Sequence, residues 1–203
     1  MTWQASLPGI SAEIDPNARD AWGTPEWVWR LPLEAIGRAL YDVDPCSNER
    51  STVPAVIQVC PPFDGLAYLD LLAKNRHSHE GVIGWLNPPY SDVEPWFRRA
   101  HTLSRKGQMW FGVVPHAPHI QAWRHYGPDL AWSLGRVRFV PPPGVAESSP
   151  TQEHDLVLWR PPDWAMTGAC EDAVLSLDVH PSCLYAITRS SYCRTDARRH
   201  DGE

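Results

Sequence analysis

The sequence predicts an α/β domain built on a largely parallel sheet and closed by an antiparallel strand pair. Two observations carry this expectation. From residue 22 to about residue 160, short apolar runs alternate with amphipathic segments, the pattern of strands joined by crossover helices. The last two strand-like runs, 136–140 and 155–159, have no helix between them, only a Pro- and Ser-rich stretch at 141–153. They therefore pair with each other.

The elements follow in order. Thr24 can cap a helix with Pro25 at its first position and Glu26 just after, running to about residue 38. Pro32 would interrupt that helix or split it in two. Residues 39–44 read as a short buried strand and 55–59 as a second. Residues 66–73 read as helix, and 81–86 as a third strand ending at a proline pair. Residues 92–105 are helical, because Val93, Trp96, Phe97 and Ala100 share one face. Residues 109–114 form a fourth strand and 119–126 a short helix. Residues 1–20 are polar and irregular, 21–160 make up the domain, and 161–203 form an extension, flexible after 188.

Composition bounds the function. The 203 residues suit one domain, and 43% apolar with 21% charged residues excludes wholesale disorder. No apolar run approaches the roughly 20 residues of a membrane span, and the N-terminus lacks the basic start and apolar core of a signal peptide. Five cysteines, an odd number, point to reduced thiols and a cytoplasmic setting. There is no Walker loop and no GxGxxG, so nucleotide hydrolysis and dinucleotide redox chemistry have no support. His180 and Cys183 with Cys170 and Cys193 fit no familiar zinc spacing, and no metal is expected. Ser91 lacks the elbow glycines of a nucleophile. Eleven tryptophans can fill a core or offer flat surfaces to bases.

Charge is distributed unevenly. The chain carries −6 overall, yet Arg98, Arg99, Arg105, Lys106, Arg124, Arg136 and Arg138 face only Asp129 between residues 98 and 138. A basic stretch in an acidic protein is either a phosphate-binding face or a set of solvated helix faces.

The most informative stretch is Asn87-Pro88-Pro89-Tyr90, directly after an apolar strand. Open α/β sheets bind ligands beyond the carboxyl ends of their strands. An exocyclic amine is a poor nucleophile because its lone pair is delocalised. The Asn87 side-chain oxygen and the Pro88 carbonyl can accept hydrogen bonds from such an amine and turn its lone pair outward. The prolines hold these acceptors with little reorganisation. Tyr90 offers a ring face to a planar substrate, such as a base turned out of its helix.

The motif resembles the catalytic motif of amino-group methyltransferases that use S-adenosylmethionine. In order, Trp22-Gly23-Thr24-Pro25, Asp42-Val43-Asp44-Pro45-Cys46-Ser47, Asn87-Pro88-Pro89-Tyr90-Ser91, Val114-Pro115 and Gly135-Arg136-Val137-Arg138-Phe139 resemble the phage-type, Dam-like DNA N-6-adenine methyltransferases. The likeness covers about residues 20–160. It implies a Rossmann-like methyltransferase domain that methylates the 6-amino group of adenine in double-stranded DNA, in a bacterial host.

By this resemblance Asn87, Pro88, Pro89 and Tyr90 are catalytic. Thr24, Pro25, Asp44, Pro45, Cys46 and Asp64 hold S-adenosylmethionine, with Asp42 a rival to Asp44 and Asp70 a rival to Asp64. With DNA as the substrate, the basic stretch offers Arg98, Arg99, Arg136 and Arg138 as its phosphate contacts, a solvated face being the alternative. Many relatives follow Asp-Pro with a glycine-containing loop, whereas this chain has Asn48-Glu49-Arg50. Two other readings stay open: amino methylation of RNA guanine, DNA cytosine or protein glutamine, and a non-catalytic DNA-binding module that kept the fold.

Overall fold

The computed structural model describes residues 22–75, 81–144 and 150–162. The expectations for 1–20, for 163–203 and for the group around His180 lie outside the described residues.

The chain runs α1 (Glu26–Ala35), β1 (Tyr41–Asp44), β2 (Ala55–Gln58), α2 (Gly65–Lys74), β3 (Ile83–Leu86), α3 (Glu94–Ser104), β4 (Met109–Pro115), α4 (Gln121–Tyr126), β5 (Leu130–Gly135) and β6 (His154–Trp159). One sheet holds all six strands in the order β2-β1-β3-β4-β6-β5. β2, β1, β3 and β4 run parallel, whereas β6 runs antiparallel to both β4 and β5. This is the Rossmann-like methyltransferase topology.

The local reasons are legible. α1 runs through Pro32 unbroken, contrary to the expected interruption. The proline removes one amide donor but is buried, and the helix ends three residues later. It ends before residue 38 because Gly37 takes φ +65°. The Gly37 amide then donates to the Glu34 carbonyl and the Arg38 amide to Leu33, which satisfies the last-turn carbonyls. β4 and β6 are buried along nearly their whole length, as central strands covered on both faces must be.

Apolar residues alternate between two faces. Trp85, Phe111, Val113, Trp132, Leu156 and Leu158 pack beneath Val28 and Leu33 of α1. On the opposite face, Leu86, Trp110, Val157 and Trp159 meet Leu69 of α2, Trp96 and Phe97 of α3, and Ala122 of α4. Trp96 and Phe97 are thus core residues.

One strand was misplaced by the sequence reading. The strand expected at 136–140 lies at Leu130–Gly135 instead. Its buried apolar residues pair with β6, and Gly135, at φ +64°, turns the chain out of the ladder. Arg136 and Arg138 are exposed on either side of buried Val137, so a crossing loop imitates the period of a strand. That loop is tied down where Gly23 and Val140 exchange two backbone hydrogen bonds of 2.8 Å. Among the described residues, no helix is long and apolar enough to cross a membrane.

Candidate active site

The parallel strands deliver three segments to one edge of the sheet: Asp44-Pro45-Cys46 after β1, Asn87–Tyr90 after β3, and His116 after β4. The antiparallel strand β6 begins at the same edge, because His154 pairs with Pro115 and Asp155 with Val114. The loop from Gly135 to Val140 reaches it from β5.

Asn87 is held from a distance in sequence. Its side-chain nitrogen donates to the Thr24 hydroxyl at 3.1 Å, which leaves Oδ1 as the acceptor end. Thr24 is buried, and its carbonyl accepts from the Thr52 hydroxyl at 3.1 Å. The Asn87 backbone amide hydrogen-bonds Cys46, tying the loop after β1 to the motif. Burial and the neighbouring Asp44 carboxylate push the Cys46 thiol up, so it carries its proton at neutral pH. Pro88 is buried.

Tyr90 joins an aromatic group. Its ring centroid lies 5.5 Å from that of His154 and 6.2 Å from that of Phe139, and those two are 5.1 Å apart. The Tyr90 hydroxyl and both ring nitrogens of His154 are buried without a hydrogen-bond partner among the described residues. Burial raises the Tyr90 hydroxyl and pushes His154 down to about 4, so His154 is neutral at physiological pH.

Asp44 ends β1, as expected, and is 2% exposed. Its Oδ1 accepts from the Cys46 amide at 3.1 Å and its Oδ2 lies 3.5 Å from the Ser51 hydroxyl. Burial raises it to about 7, against the lowering effect of these hydrogen bonds. Asp42 is occupied elsewhere, since it takes two hydrogen bonds from Arg38 and one from the Ile83 amide at 2.7 Å.

An acid raised on folding holds its proton more tightly in the folded state. Its stabilising contribution is complete at low pH and is lost as pH rises from about 4 through 7. Asp44→Asn should therefore flatten the fall in stability across that window. It should also stabilise the protein above pH 7 by on the order of 2 kcal/mol. Urea unfolding at a series of pH values, for both proteins, checks this.

The Asp64 side chain caps α2, with Oδ1 accepting from the Leu66 and Ala67 amides at 2.8 and 3.2 Å. Asp70 forms a two-point pair with Arg99 at 2.8 and 2.7 Å, and that guanidinium holds its carboxyl below the usual range. The residue after Asp64 packs directly on the loop after β1. Gly65 approaches the Pro45 carbonyl so closely that a Cβ there would lie 1.9 Å from its oxygen. The close backbone approach comes from the neighbouring helix.

The basic stretch is scattered. Arg99 is taken up by Asp70, Arg105 pairs with Asp129 at 2.7 Å, and Lys106 donates to the Ala73 carbonyl. Arg98, Arg124, Arg136 and Arg138 are exposed and make no ion pair among the described residues.

Three polar residues at this edge were missed by sequence reading: His116, His154 and Asp155. The His116 Nδ1 lies 2.8 and 3.1 Å from the two Asp155 carboxylate oxygens. The available signal was an aspartate within the apolar run His154–Trp159, facing a histidine just past a parallel strand. Comparison of the chain with family models, with curated proteins and with solved structures finds no match.

Proposed function

We propose that this Rossmann-like methyltransferase domain uses S-adenosylmethionine to methylate the 6-amino group of adenine in double-stranded DNA. The observation that supports it most is the Asn87 amide, fixed by Thr24 at the carboxyl end of β3, next to a proline pair and an aromatic ring. When bound, the cofactor supplies a methyl group on a sulfonium.

The residues fit such a donor. Asp44 is a buried carboxyl without a cationic partner among the described residues. An amino-acid ammonium brought against it would restore its charge. Pro45 and Cys46 shape the same loop, Thr24, followed by Pro25, joins the site through Asn87, and Asp64 begins the helix beside it. Asn87 Oδ1 and the Pro88 carbonyl accept hydrogen bonds from the amine and orient its lone pair. Pro89 keeps the turn rigid, and the Tyr90 ring gives the extruded base a stacking face.

Expression in a methylation-free host, followed by nucleoside mass spectrometry of its DNA, tests the activity. N6-methyladenine is the expected product, and its absence overturns the substrate. A lack of S-adenosylmethionine binding by calorimetry overturns the enzyme and favours a non-catalytic module.

DNA contact is expected at the exposed pair Arg136 and Arg138, beside the motif, with a contribution from Arg98. Each phosphate contact steepens the fall of log affinity with log salt by about 0.9. Arg136→Ala combined with Arg138→Ala should flatten that slope by about two units. Arg99→Ala should change it little, because its guanidinium is bound to Asp70. Titrations of DNA binding at several salt concentrations measure all three.

A further inference from the structure

Methylating an amine leaves a proton to be removed. The new N–CH3 bond forms as the CH3–S bond breaks, and its electron pair stays on sulfur as a neutral thioether. The amine nitrogen becomes positively charged until it releases a proton. Asn87 Oδ1 and the Pro88 carbonyl are weak bases that orient this proton without keeping it.

A stronger acceptor stands at the same sheet edge. β3 and β4 are in register at Leu86 and Gly112, so Tyr90 and His116 both lie four residues past that pairing. His154, whose ring packs against Tyr90, pairs with Pro115, the residue before His116. The Asp155 carboxylate, 3% exposed, takes His116 Nδ1 at 2.8 Å, while the His116 side chain keeps about a third of its surface in solvent. The His116 backbone amide is fixed as well, donating to the Glu153 carbonyl at 2.9 Å. A carboxylate on Nδ1 holds the proton there and leaves Nε2 as the basic nitrogen.

We propose that His116, oriented by Asp155, is the proton acceptor of this site. Nε2 takes the proton from the amine as the N–CH3 bond forms, and the resulting imidazolium is neutralised by Asp155 before it passes the proton to solvent. The inference rests on the methyltransferase reading above. Among the described residues, Asp155 and Glu153 on the β6 side meet His116, and His154 and Tyr90 adjoin them. Burial raises Asp155, and the Glu153 charge raises it further, whereas His116 lowers it. His154 stays neutral, so it does not compete as a cation.

Two measurements test this. The first uses the protein without cofactor. Nitrogen-15 NMR of the imidazoles should show neutral His116 protonated at Nδ1, and Asp155→Asn should abolish that preference. The second is the pH profile of methyl transfer for the wild type and His116→Ala. The variant should lose roughly 10- to 100-fold in kcat, should lose the fall in kcat/KM on acidification that a neutral base imposes, and should regain activity when imidazole is added. A purely structural clamp between β4 and β6 would give neither the altered profile nor the rescue. An unchanged kcat and profile in His116→Ala, or an Nε2-protonated wild type, overturns the proton-acceptor role while leaving the methyltransferase reading intact. A wild type that transfers no methyl group overturns both.

Discussion

Asn87→Ala is expected to lower methyl-transfer turnover by about 10²-fold or more. The lost acceptor matters most as the amine becomes tetrahedral, because its N–H bonds then carry more positive charge. Cofactor affinity should change little, since Asn87 is tied to the loop after β1 through its backbone amide on Cys46, which the variant keeps. The structure adds a coupling test. Thr24→Val removes the hydroxyl that receives Nδ2 and frees the amide to rotate. That change should cost less than Asn87→Ala, and the double variant should be no worse than Asn87→Ala alone. Single-turnover rates of the three variants measure it. Additive losses would mean that Thr24 acts independently of Asn87, and near-normal turnover in Asn87→Ala would remove the motif from catalysis.

Gly65→Ala is expected to destabilise the protein by about 2–3 kcal/mol, by overpacking against backbone. The sign makes this informative. Gly65 is the first residue of α2, and in an open helix interior glycine to alanine stabilises by up to about 1 kcal/mol. Here the added Cβ would meet the Pro45 carbonyl oxygen at 1.9 Å and the Trp96 ring at 3.1 Å. Pro45 cannot recoil freely, because Asp44 behind it and Cys46 ahead of it are joined by a hydrogen bond. The strain therefore spreads into the loop assigned to the cofactor, and S-adenosylmethionine affinity should fall with stability. Denaturant midpoints and calorimetry on the same variant report the two effects. A stabilised variant would show that α2 can retreat from the loop.

How much of this was legible beforehand differs from element to element. β1, β2, β3, β4 and β6 lie within two residues of their expected positions, because short apolar runs bounded by proline and glycine are local signals. α2 and α3 were also legible, α3 from its apolar face, whereas the capping role of Asp64 at the start of α2 was not. β5 was not legible. The alternation of Arg136, Val137 and Arg138 copies a strand, whereas the true strand, Leu-Ala-Trp-Ser-Leu-Gly, alternates large with small residues and shows no polar face, because Ala131 on its second face is buried in the other core cluster. Pro32 misled in the opposite direction, since core packing around a buried proline outweighed its missing donor.

The sequence by itself determined the order of strands and helices and the placing of Asn87–Tyr90 at a strand end. It also determined the end of β1 at Asp44. Each of these depends on residues within a few positions of one another. Only the tertiary structure decided which distant groups meet. Thr24 reaches Asn87 across 63 residues and His116 reaches Asp155 across 39; the second follows from the β4–β6 register and the first from where the segment before α1 crosses the end of β3, and no local pattern encodes either. The same holds for charge. Seven basic residues close in sequence were open to two readings, one phosphate-binding face or several solvated faces, but Arg99, Arg105 and Lys106 are held by Asp70, Asp129 and the Ala73 carbonyl. A side chain pairs with whatever the fold brings within hydrogen-bond reach, so only the folded chain separates a solvated arginine from a structural one.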